Sequence, residues 1–558
     1  MRAIVVASSA ACLAMGVGAI AQPAIGSPTT SAHHQQVQAE TSIATTAKAW
    51  LTAEPKTAST FERSYRAEAI RRLKRSAGGG VVVVFFFGPQ VDAIPIPDVT
   101  GDRHDDILEA RYASQSGDIA VRRGDTGAAA WSASEPGLYG AQVLPSVGTH
   151  GSVITFASTF SFYDTPVAYA DTVTLHVAAR DLKTGALTWS ATYAGTENGS
   201  PFSYLQTGVP FADGLLTAKA GVSPRVLVEQ DSGSYGVACE THPITLDAST
   251  GAATPGAPAA GTDACILTPA TDLNGDGLDD YVMTTGGSRP AVTAVSSATG
   301  APMWSRSDLT FAYGFPLGTA DFTGDKTPDI VFEADSANGA DTHVIGLNGA
   351  TGASVWDKAA DYAVPLGDID HDGRIDFRLV TRPTIRTIRY VGTSGGSGRA
   401  LWTTVVEAPR SNQIAYSTSY STGDVNSDGI DDVLVVWISK ATRKAMDGSQ
   451  LDGRTGQQRR IATVGLPYLV SFDGHGTDLV KDTASHGALH LTVVDGATNS
   501  TIWRASLRTT AVQLADAYAG HFTGAQDQVV ICASGKGGYT AVLDARTGRR
   551  LWEVTYPL

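Results

Sequence analysis

Short apolar runs alternate with turn-forming residues along the chain after Val81. Examples are Ile330-Val331-Phe332 and Val433-Leu434-Val435-Val436, each of which follows a stretch rich in Asp, Gly, Asn or Thr. Runs of this kind, bounded by turn residues, are typical of β-strands. We therefore predict an all-β domain over residues 81–558.

The first recurring element is a nine-residue acidic loop that leads directly into an apolar strand. Oxygen-bearing side chains fall at its positions 1, 3, 5 and 9, and the backbone carbonyl of position 7 lies between them. We number the five copies loops 1 to 5. Their positions 1, 3, 5, 7 and 9 are Asp98, Thr100, Asp102, His104 and Asp106; Asp272, Asn274, Asp276, Leu278 and Asp280; Asp321, Thr323, Asp325, Thr327 and Asp329; Asp368, Asp370, Asp372, Arg374 and Asp376; and Asp424, Asn426, Asp428, Ile430 and Asp432.

This spacing predicts calcium binding. Alternate side chains of a short loop can turn inward, and several oxygens then surround one hard cation. Calcium accepts such flexible, all-oxygen ligation more readily than magnesium, which demands octahedral geometry. An acidic Asx-type turn without metal is the alternative. Other repeats lack the ligands, so we do not expect calcium in every one.

The second recurring element is a turn glycine followed four residues later by a tryptophan. The pairs are Gly127 and Trp131, Gly185 and Trp189, Gly300 and Trp304, Gly352 and Trp356, Gly398 and Trp402, and Gly548 and Trp552, and Asn499 takes the glycine place before Trp503. The copies at Gly251 and Gly456 lack the tryptophan. Most of the nine tryptophans of the chain thus occupy one position in a repeat.

One repeat of roughly 50 residues holds about four short strands, which is the content of a propeller blade. We count nine units and predict a β-propeller of seven to nine four-stranded blades. If the ring has fewer than nine blades, one degenerate unit is an insertion rather than a blade. The tryptophans should fill the seams between blades, because a twisted four-stranded sheet cannot bury both faces alone. An open β-solenoid is the structural alternative.

The first 21 residues have the features of a secretory signal peptide. Arg2 precedes an apolar stretch from Ala3 to Ile20, and a small-x-small cleavage site ends at Ala21. A membrane anchor and lipidation of Cys12 are the alternatives. We expect a secreted protein that is extracellular or associated with the cell wall, without a stable membrane span.

Residues 22–80 are predicted to form a linker. It is rich in Ala, Ser, Thr and Gln, and Phe61 to Ser76 carries apolar residues four apart, so this segment is either a short helix or disordered. The net charge of −14 argues against nucleic acid as a partner. We expect a monomer.

Three cysteines follow the leader. Export favours oxidation, so Cys239 and Cys265 are predicted to close a loop of 25 residues within one repeat. Cys532 lies in an apolar run and is interpreted as a buried strand thiol.

The acidic loops resemble the FG-GAP and VCBS repeats of integrin α-subunit propellers and bacterial secreted proteins. The resemblance rests on DLNGDGLDD, DIDHDGRID and DVNSDGIDD. It implies a propeller with structural calcium in solvent-facing loops and a role in adhesion or ligand binding. Arg103 and Lys326 replace the loop glycine, which we expect to weaken those two sites. The tryptophan element, best seen in LDARTGRRLW, is similar to the docking motif of quinoprotein propellers.

We therefore expect a calcium-binding recognition or adhesion module for a glycan or protein rather than an enzyme, and we assign no catalytic residue. A polysaccharide lyase or hydrolase is the enzyme alternative, because abundant Asp could supply a catalytic pair. A quinone-dependent dehydrogenase is a third possibility. The sequence contains no Gly-x-Ser-x-Gly elbow, no His-Glu-x-x-His and no phosphate loop.

Overall fold

The structure is a computed structural model, in which residues 90–557 are described apart from short gaps. The gaps are 113–116, 145–146, 165–168, 201–202, 220, 235–237, 262–264, 286–290, 308–313, 336–341, 416–419, 425, 427, 441–444, 462–467, 471–477, 496–497, 499, 510, 521–527 and 536. The predicted signal peptide, linker and short helix lie outside the described residues.

The described chain consists of β-strands and turns, which form eight antiparallel sheets. The first sheet contains β1 (Gln90–Ile96), β2 (Asp106–Tyr112), β3 (Asp118–Arg122) and β4 (Ala129–Ser134) in chain order. The second contains β5 (Leu138–Leu144), β6 (Ser152–Asp164), β7 (Tyr169–Asp181), β8 (Leu187–Ser200), β9 (Ser203–Leu216), β10 (Arg225–Ser234), β11 (Ala238–Asp247), β12 (Ala253–Pro255) and β13 (Ala259–Gly261).

The next three sheets are regular four-stranded meanders. They contain β14 (Cys265–Pro269), β15 (Tyr281–Thr285), β16 (Ala291–Val295) and β17 (Pro302–Arg306); β18 (Gly314–Ala320), β19 (Asp329–Asp335), β20 (Thr342–Leu347) and β21 (Ser354–Ala359); and β22 (Tyr362–Gly367), β23 (Asp376–Thr384), β24 (Thr387–Thr393) and β25 (Ala400–Glu407).

The last three sheets follow the same order, except that two short strands share the first position of the sixth sheet. They contain β26 (Gln413–Ala415), β27 (Tyr420–Gly423), β28 (Asp432–Ser439), β29 (Ala445–Leu451) and β30 (Gln458–Ile461); β31 (Tyr468–Val470), β32 (Asp478–Ser485), β33 (Ala488–Val494) and β34 (Thr501–Arg508); and β35 (Ala511–Gly520), β36 (Gln528–Gly535), β37 (Gly537–Asp544) and β38 (Arg550–Pro557).

The sheets form an eight-bladed propeller, which confirms the predicted fold class. The nine units counted from the sequence fit into eight sheets because the second sheet holds two of them, β5 to β8 and β9 to β12. Strands β6 to β9 are 13 or 14 residues long, which exceeds the length of a normal blade strand. The two units are joined because residues 196–200 of β8 pair with residues 203–207 of β9. We call the nine four-stranded groups units 1 to 9.

Units 1 to 7 pack face to face, each with the next, through shared apolar clusters, and so do units 8, 9 and 1. Units 2 and 3 share one such cluster even though they belong to one sheet, with Phe156 and Val177 of unit 2 beside Val226 and Leu246 of unit 3. Units 9 and 1 share a cluster of Val542 with Ala93 and Ile107, so the last unit meets the first. This contact closes the ring and excludes the open solenoid.

The repeated tryptophans lie at these seams, as predicted. Each stands on the fourth strand of its unit and packs against the turn glycine of the next one: Trp131 on Gly185, Trp189 on Gly251, Trp304 on Gly352, Trp356 on Gly398, Trp402 on Gly456, Trp503 on Gly548 and Trp552 on Gly127. These glycines have φ between 67° and 72°, and a Cβ added to any of them would lie within 3 Å of the tryptophan. The glycine is therefore needed both for its backbone conformation and for the space that the indole fills.

Cys239 and Cys265 form the predicted disulfide. The expectation that it lies within one repeat was wrong: Cys239 belongs to β11 of unit 3 and Cys265 begins β14 of unit 4. The bond joins two neighbouring sheets. Cys532 lies within β36, in agreement with a strand position.

Candidate functional site

Each acidic loop connects the first and second strands of its unit, at the same edge of the propeller. Its last residue opens the second strand or precedes it, because Asp106, Asp329, Asp376 and Asp432 are the first residues of their strands and Asp280 precedes Tyr281. These five aspartates are at most 1% exposed, whereas positions 1, 3 and 5 are more accessible to solvent. Each loop therefore combines a buried carboxylate at position 9 with more accessible side chains at positions 1, 3 and 5.

The position 9 carboxylates are held by backbone N–H groups. In loop 3, Phe322 and Thr323 donate to Oδ2 of Asp329 at 2.9 and 2.7 Å, and Gly349 donates to Oδ1 at 3.0 Å. Loop 4 repeats the pattern, with Ile369 donating to Oδ2 of Asp376 at 2.8 Å. The position 9 aspartate thus fastens its loop to the turn between the third and fourth strands.

The residue at position 1 organises the bend of the loop. The Asp98 carboxylate accepts hydrogen bonds from the backbone N–H groups of Gly101, Asp102 and Arg103. Burial opposes ionisation of Asp98, but these bonds lower its pKa below the usual value. Arg103 and Lys326 have φ of 71° and 73°, so both keep the left-handed conformation that Gly277 has at the same position. The loop backbone is therefore retained where the sequence lacks the glycine.

Loop 4 brings its carboxylates together. The ligand atoms of Asp368, Asp370 and Asp376 all lie within 4.8 Å of one another, and this is the only such acidic group among the described residues. Oδ1 of Asp370 is buried without a hydrogen-bond partner. Arg399 approaches the other oxygen of Asp370, at 3.5 Å. An oxygen-rich cluster of this kind has the donor atoms that calcium prefers.

In loops 1 and 2 a basic side chain from outside the loop engages a predicted ligand. Lys219, which precedes β10, places Nζ 2.8 Å from Oδ2 of Asp272. Nη2 of Arg123 lies 3.1 Å from Oδ2 of Asp102. The lysine bond contributes to lowering the pKa of Asp272 against the opposing effect of burial.

In loops 3 and 5 an amide group engages a predicted ligand, from outside the loop in loop 3 and from position 3 of the loop itself in loop 5. Asn348 donates through Nδ2 to Asp325 at 2.7 Å, and Asn426 donates to Asp428 at 3.2 Å and to Asp452 at 2.9 Å. Arg454 also lies 3.6 Å from Asp428. The described residues of these loops do not gather three carboxylates around one point.

At position 7 the backbone carbonyl was the predicted ligand. In every loop the N–H of this residue donates to the aspartate at position 5: His104 to Asp102, Leu278 to Asp276, Thr327 to Asp325, Arg374 to Asp372 and Ile430 to Asp428, at 2.8 to 3.0 Å. The remaining ligand side chains at positions 1 and 3 bond within their own loops. At position 3, the hydroxyls of Thr100 and Thr323 donate to the position 9 aspartates, and the amide oxygen of Asn274 accepts from the N–H of Asp276. At position 1, the carboxylates of Asp321, Asp368 and Asp424 accept from backbone N–H groups.

Burial raises the pKa of four of the position 9 aspartates, Asp106, Asp280, Asp329 and Asp376. The effect is largest for Asp280, whose pKa rises to about 6 because burial is reinforced by the charges of Asp276 and Asp272. Burial also raises the pKa of Asp376, although hydrogen bonds from Gly395 and Ile369 oppose it. A cation beside these carboxylates would favour their ionised form.

Several solved structures are similar to this chain at low identity. A europium-containing methanol dehydrogenase has 12% identity over 63% of this chain and 80% of its own, with a TM-score of 0.32. BamB from Moraxella catarrhalis has 15% identity over 75% and 100%, with a TM-score of 0.31, and the Dos1 propeller has 13% over 70% and 93%, with 0.35. Similarity at this level says nothing about activity.

No family model and no curated protein sequence matches the chain. Within the part of the chain that the structure describes, no helix has the length and hydropathy needed to cross a membrane.

Proposed function

We propose that the protein is a calcium-binding β-propeller that acts outside the cell as a noncovalent recognition or adhesion module for a glycan or a protein, as a monomer. The observation that carries the calcium part is the carboxylate cluster of Asp368, Asp370 and Asp376, whose ligand atoms lie within 4.8 Å of one another. The likeness of the loop sequences to FG-GAP and VCBS repeats supports the recognition part.

The residues of loop 4 fit a divalent cation. Three carboxylates this close repel one another when ionised, and a cation between them would offset that repulsion. The buried Oδ1 of Asp370 has no hydrogen-bond partner and therefore offers a free acceptor where burial makes an unpaired oxygen costly. Asp368, Asp370 and Asp376 would hold the ion, and its role would be structural, because it would cross-link the loop rather than take part in catalysis.

The five loops should differ in affinity. Lys219 already supplies a positive charge to Asp272 in loop 2, and Arg123 does so for Asp102 in loop 1. An ion entering either loop must displace that contact, whereas loop 4 has only the longer approach of Arg399 to Asp370. We expect loop 4 to bind calcium most tightly.

The disulfide between Cys239 and Cys265 supports action outside the cell. Structural disulfides persist in oxidising compartments and are rare in the cytosol. The bond agrees with the export that the leader sequence indicates.

Calcium binding is tested by isothermal titration of protein stripped with chelator. Asp370→Asn should weaken the tightest site, because it removes one of the three carboxylate charges while keeping the size of the side chain. Asp357→Asn is the matched control, since Asp357 is an exposed carboxylate on β21 that contacts His343 outside the loops. Equal calcium binding by wild type and Asp370→Asn would contradict the assignment of loop 4.

Lys219→Gln provides a second comparison. Removing the ammonium group should increase the calcium affinity of loop 2 without changing that of loop 4. Recognition itself is tested on glycan and protein arrays with and without calcium. Release of products from a polysaccharide, rather than retention of the intact ligand, would favour an enzyme over a recognition module.

A further inference from the structure

In every unit except unit 8, where this position lies outside the described residues, the turn between the third and fourth strands contains an anchor residue three positions before the turn glycine. In seven units the carbonyl of the anchor accepts a hydrogen bond from the indole N–H of the preceding unit. The seven bonds run from Trp131 to Leu182, Trp189 to Ala248, Trp304 to Gly349, Trp356 to Gly395, Trp402 to Gly453, Trp503 to Ala545 and Trp552 to Gly124, at 2.5 to 3.1 Å. Each tryptophan is thus tied to the next unit by a bond as well as by packing.

The same anchor residue is bonded to the acidic loop of its own unit. Its N–H donates to the position 9 aspartate, from Gly124 to Asp106, Ser297 to Asp280, Gly349 to Asp329, Gly395 to Asp376 and Gly453 to Asp432, at 2.8 to 3.3 Å. Both backbone groups of the anchor residue are therefore hydrogen-bonded: its N–H donates to the acidic loop, and its C=O accepts from the neighbouring unit. In unit 4 the carbonyl of Ser297 accepts from Thr245 of unit 3 instead of from a tryptophan.

The contact between loop and anchor leaves no room for adjustment. A Cβ added to Gly349, Gly395 or Gly453 would lie 1.8, 2.0 or 2.0 Å from the carbonyl oxygen of the residue before the position 9 aspartate. Real Cβ atoms do not approach backbone oxygen so closely. Movement of the loop must therefore move the anchor and with it the acceptor of the indole N–H.

Units without an acidic loop satisfy the anchor differently. In unit 2, Leu182 donates its N–H to the carbonyl of Gly151, and in unit 3, Ala248 donates to the carbonyl of Pro224. The tryptophans still dock on both units. The aspartate is therefore not required to satisfy the anchor, and what it adds is a link between the anchor and the acidic loop.

We propose that Asp106, Asp329, Asp376 and Asp432 are positioning residues that couple their acidic loops to the tryptophan docked from the preceding unit. For loop 4 this inference rests on the proposed function: a cation held by Asp368, Asp370 and Asp376 is sensed at Trp356 through Gly395. Trp356 is 5% exposed and contacts Phe377, the residue after Asp376, with ring centroids 5.9 Å apart, which provides a second path between loop and indole.

The coupling is tested by fluorine NMR of protein labelled with 5-fluorotryptophan, with resonances assigned by single Trp→Phe variants. Calcium titration should shift the Trp356 resonance with the same midpoint as calcium binding measured by calorimetry. The Trp189 resonance is the internal control, because neither its own unit nor the unit of its anchor Ala248 has an acidic loop, and it should not move. Calcium binding that leaves Trp356 unchanged, or that shifts Trp189 equally, overturns the proposal while leaving calcium binding intact.

A second measurement needs no cation. In chelator, the urea midpoints of Asp376→Asn, Trp356→Phe and the double variant should be non-additive, whereas Asp376→Asn combined with Trp131→Phe should be additive. Asp376→Asn conserves size and Trp356→Phe keeps an aromatic ring, so the variants are expected to fold. Additivity for the Asp376 and Trp356 pair overturns the coupling whether or not the loop binds calcium. Failure of calcium to bind, with non-additivity retained, rejects the proposed function and leaves the coupling in place.

Discussion

Substitution of Gly352 by alanine tests the docking of the tryptophans on the turn glycines. Gly352 has φ of 71°, and a Cβ at this position would lie 2.6 Å from Cε3 and 2.8 Å from Cδ2 of Trp304. The alanine therefore meets two penalties, one from the left-handed backbone and one from the indole. Gly487→Ala separates them, because Gly487 has φ of 74° and a Cβ there has no neighbour within 4 Å.

The two penalties have different sizes. A left-handed conformation costs a residue with a Cβ about 1 to 2 kcal/mol. Forcing an extra methyl group into a packed contact costs roughly 1 to 3 kcal/mol more. We therefore expect Gly487→Ala to lower the free energy of unfolding by about 1 to 2 kcal/mol and Gly352→Ala to lower it by about 2 to 5 kcal/mol. The difference between the variants measures the indole contact.

The assay is urea unfolding of both variants, monitored by circular dichroism. Urea is preferred to a thermal melt because the Tm of a cooperative unit of several hundred residues changes by only about 1 °C per kcal/mol. A Trp304→Leu background provides the rescue experiment. Leucine lacks the ring atoms that meet the new Cβ, so Gly352→Ala should then cost no more than Gly487→Ala. Equal losses for Gly352→Ala and Gly487→Ala in the wild-type background would refute the docking argument.

The repeat architecture was predictable because its two signals are local. The spacing of Asp321, Thr323, Asp325 and Asp329 and the glycine–tryptophan offset are read within a few residues. Both motifs fall on the turns and strand ends where the pattern placed them. The double sheet was not predicted, although two signals accompany it: the units near Val147 and Phe211 lack an acidic loop, and turn-glycine spacings of 58 and 66 residues flank Gly185.

The partners of the acidic loops could not be predicted, since they come from distant parts of the chain. Lys219 precedes Asp272 by 53 residues and belongs to the preceding unit. The second role of Asp329 was also missed, because nothing in the sequence shows that the N–H of Gly349 will meet its carboxylate. A sequence pattern identifies oxygen donors, but only the packing of units decides which of them already have partners.

Four further outcomes are expected. Calcium at a hundredfold excess over its Kd should stabilise the protein by about 2.7 kcal/mol per independent site, and comparison of melts in calcium and chelator should show less of this gain in Asp370→Asn. Reduction of the Cys239–Cys265 disulfide should cost about 3 kcal/mol in urea unfolding, and unchanged midpoints in reductant would contradict this. In calcium-free buffer the protonated Asp280 carboxyl stabilises the folded state at low pH, because its pKa is raised on folding, and this contribution is lost as the pH rises from 3.8 to about 6. Asp280→Asn should therefore flatten the pH dependence of the urea midpoint between these two pH values. Arg378 is fully buried with three guanidinium nitrogens that lack hydrogen-bond partners among the described residues, so Arg378→Met should leave stability unchanged or raise it by up to about 4 kcal/mol, and a lower urea midpoint would show that the charge is compensated.

The distribution of cross-links around the ring explains how units can lose a motif without opening the propeller. Two seams have no docked tryptophan. Between units 7 and 8, Arg460 takes the sequence position of the tryptophan; between units 3 and 4, Pro255 takes that position, and its carbonyl lies close to Gly300 instead. The same seam carries the disulfide and the hydrogen bond from Thr245 to Ser297. Because a closed ring fails at its weakest seam, a covalent bond stabilises most where the packing contribution of an indole is missing. The calcium proposed for loops 1, 3, 4 and 5 would act on seams that tryptophans already hold, whereas loop 2 belongs to the unit that the disulfide joins to its neighbour.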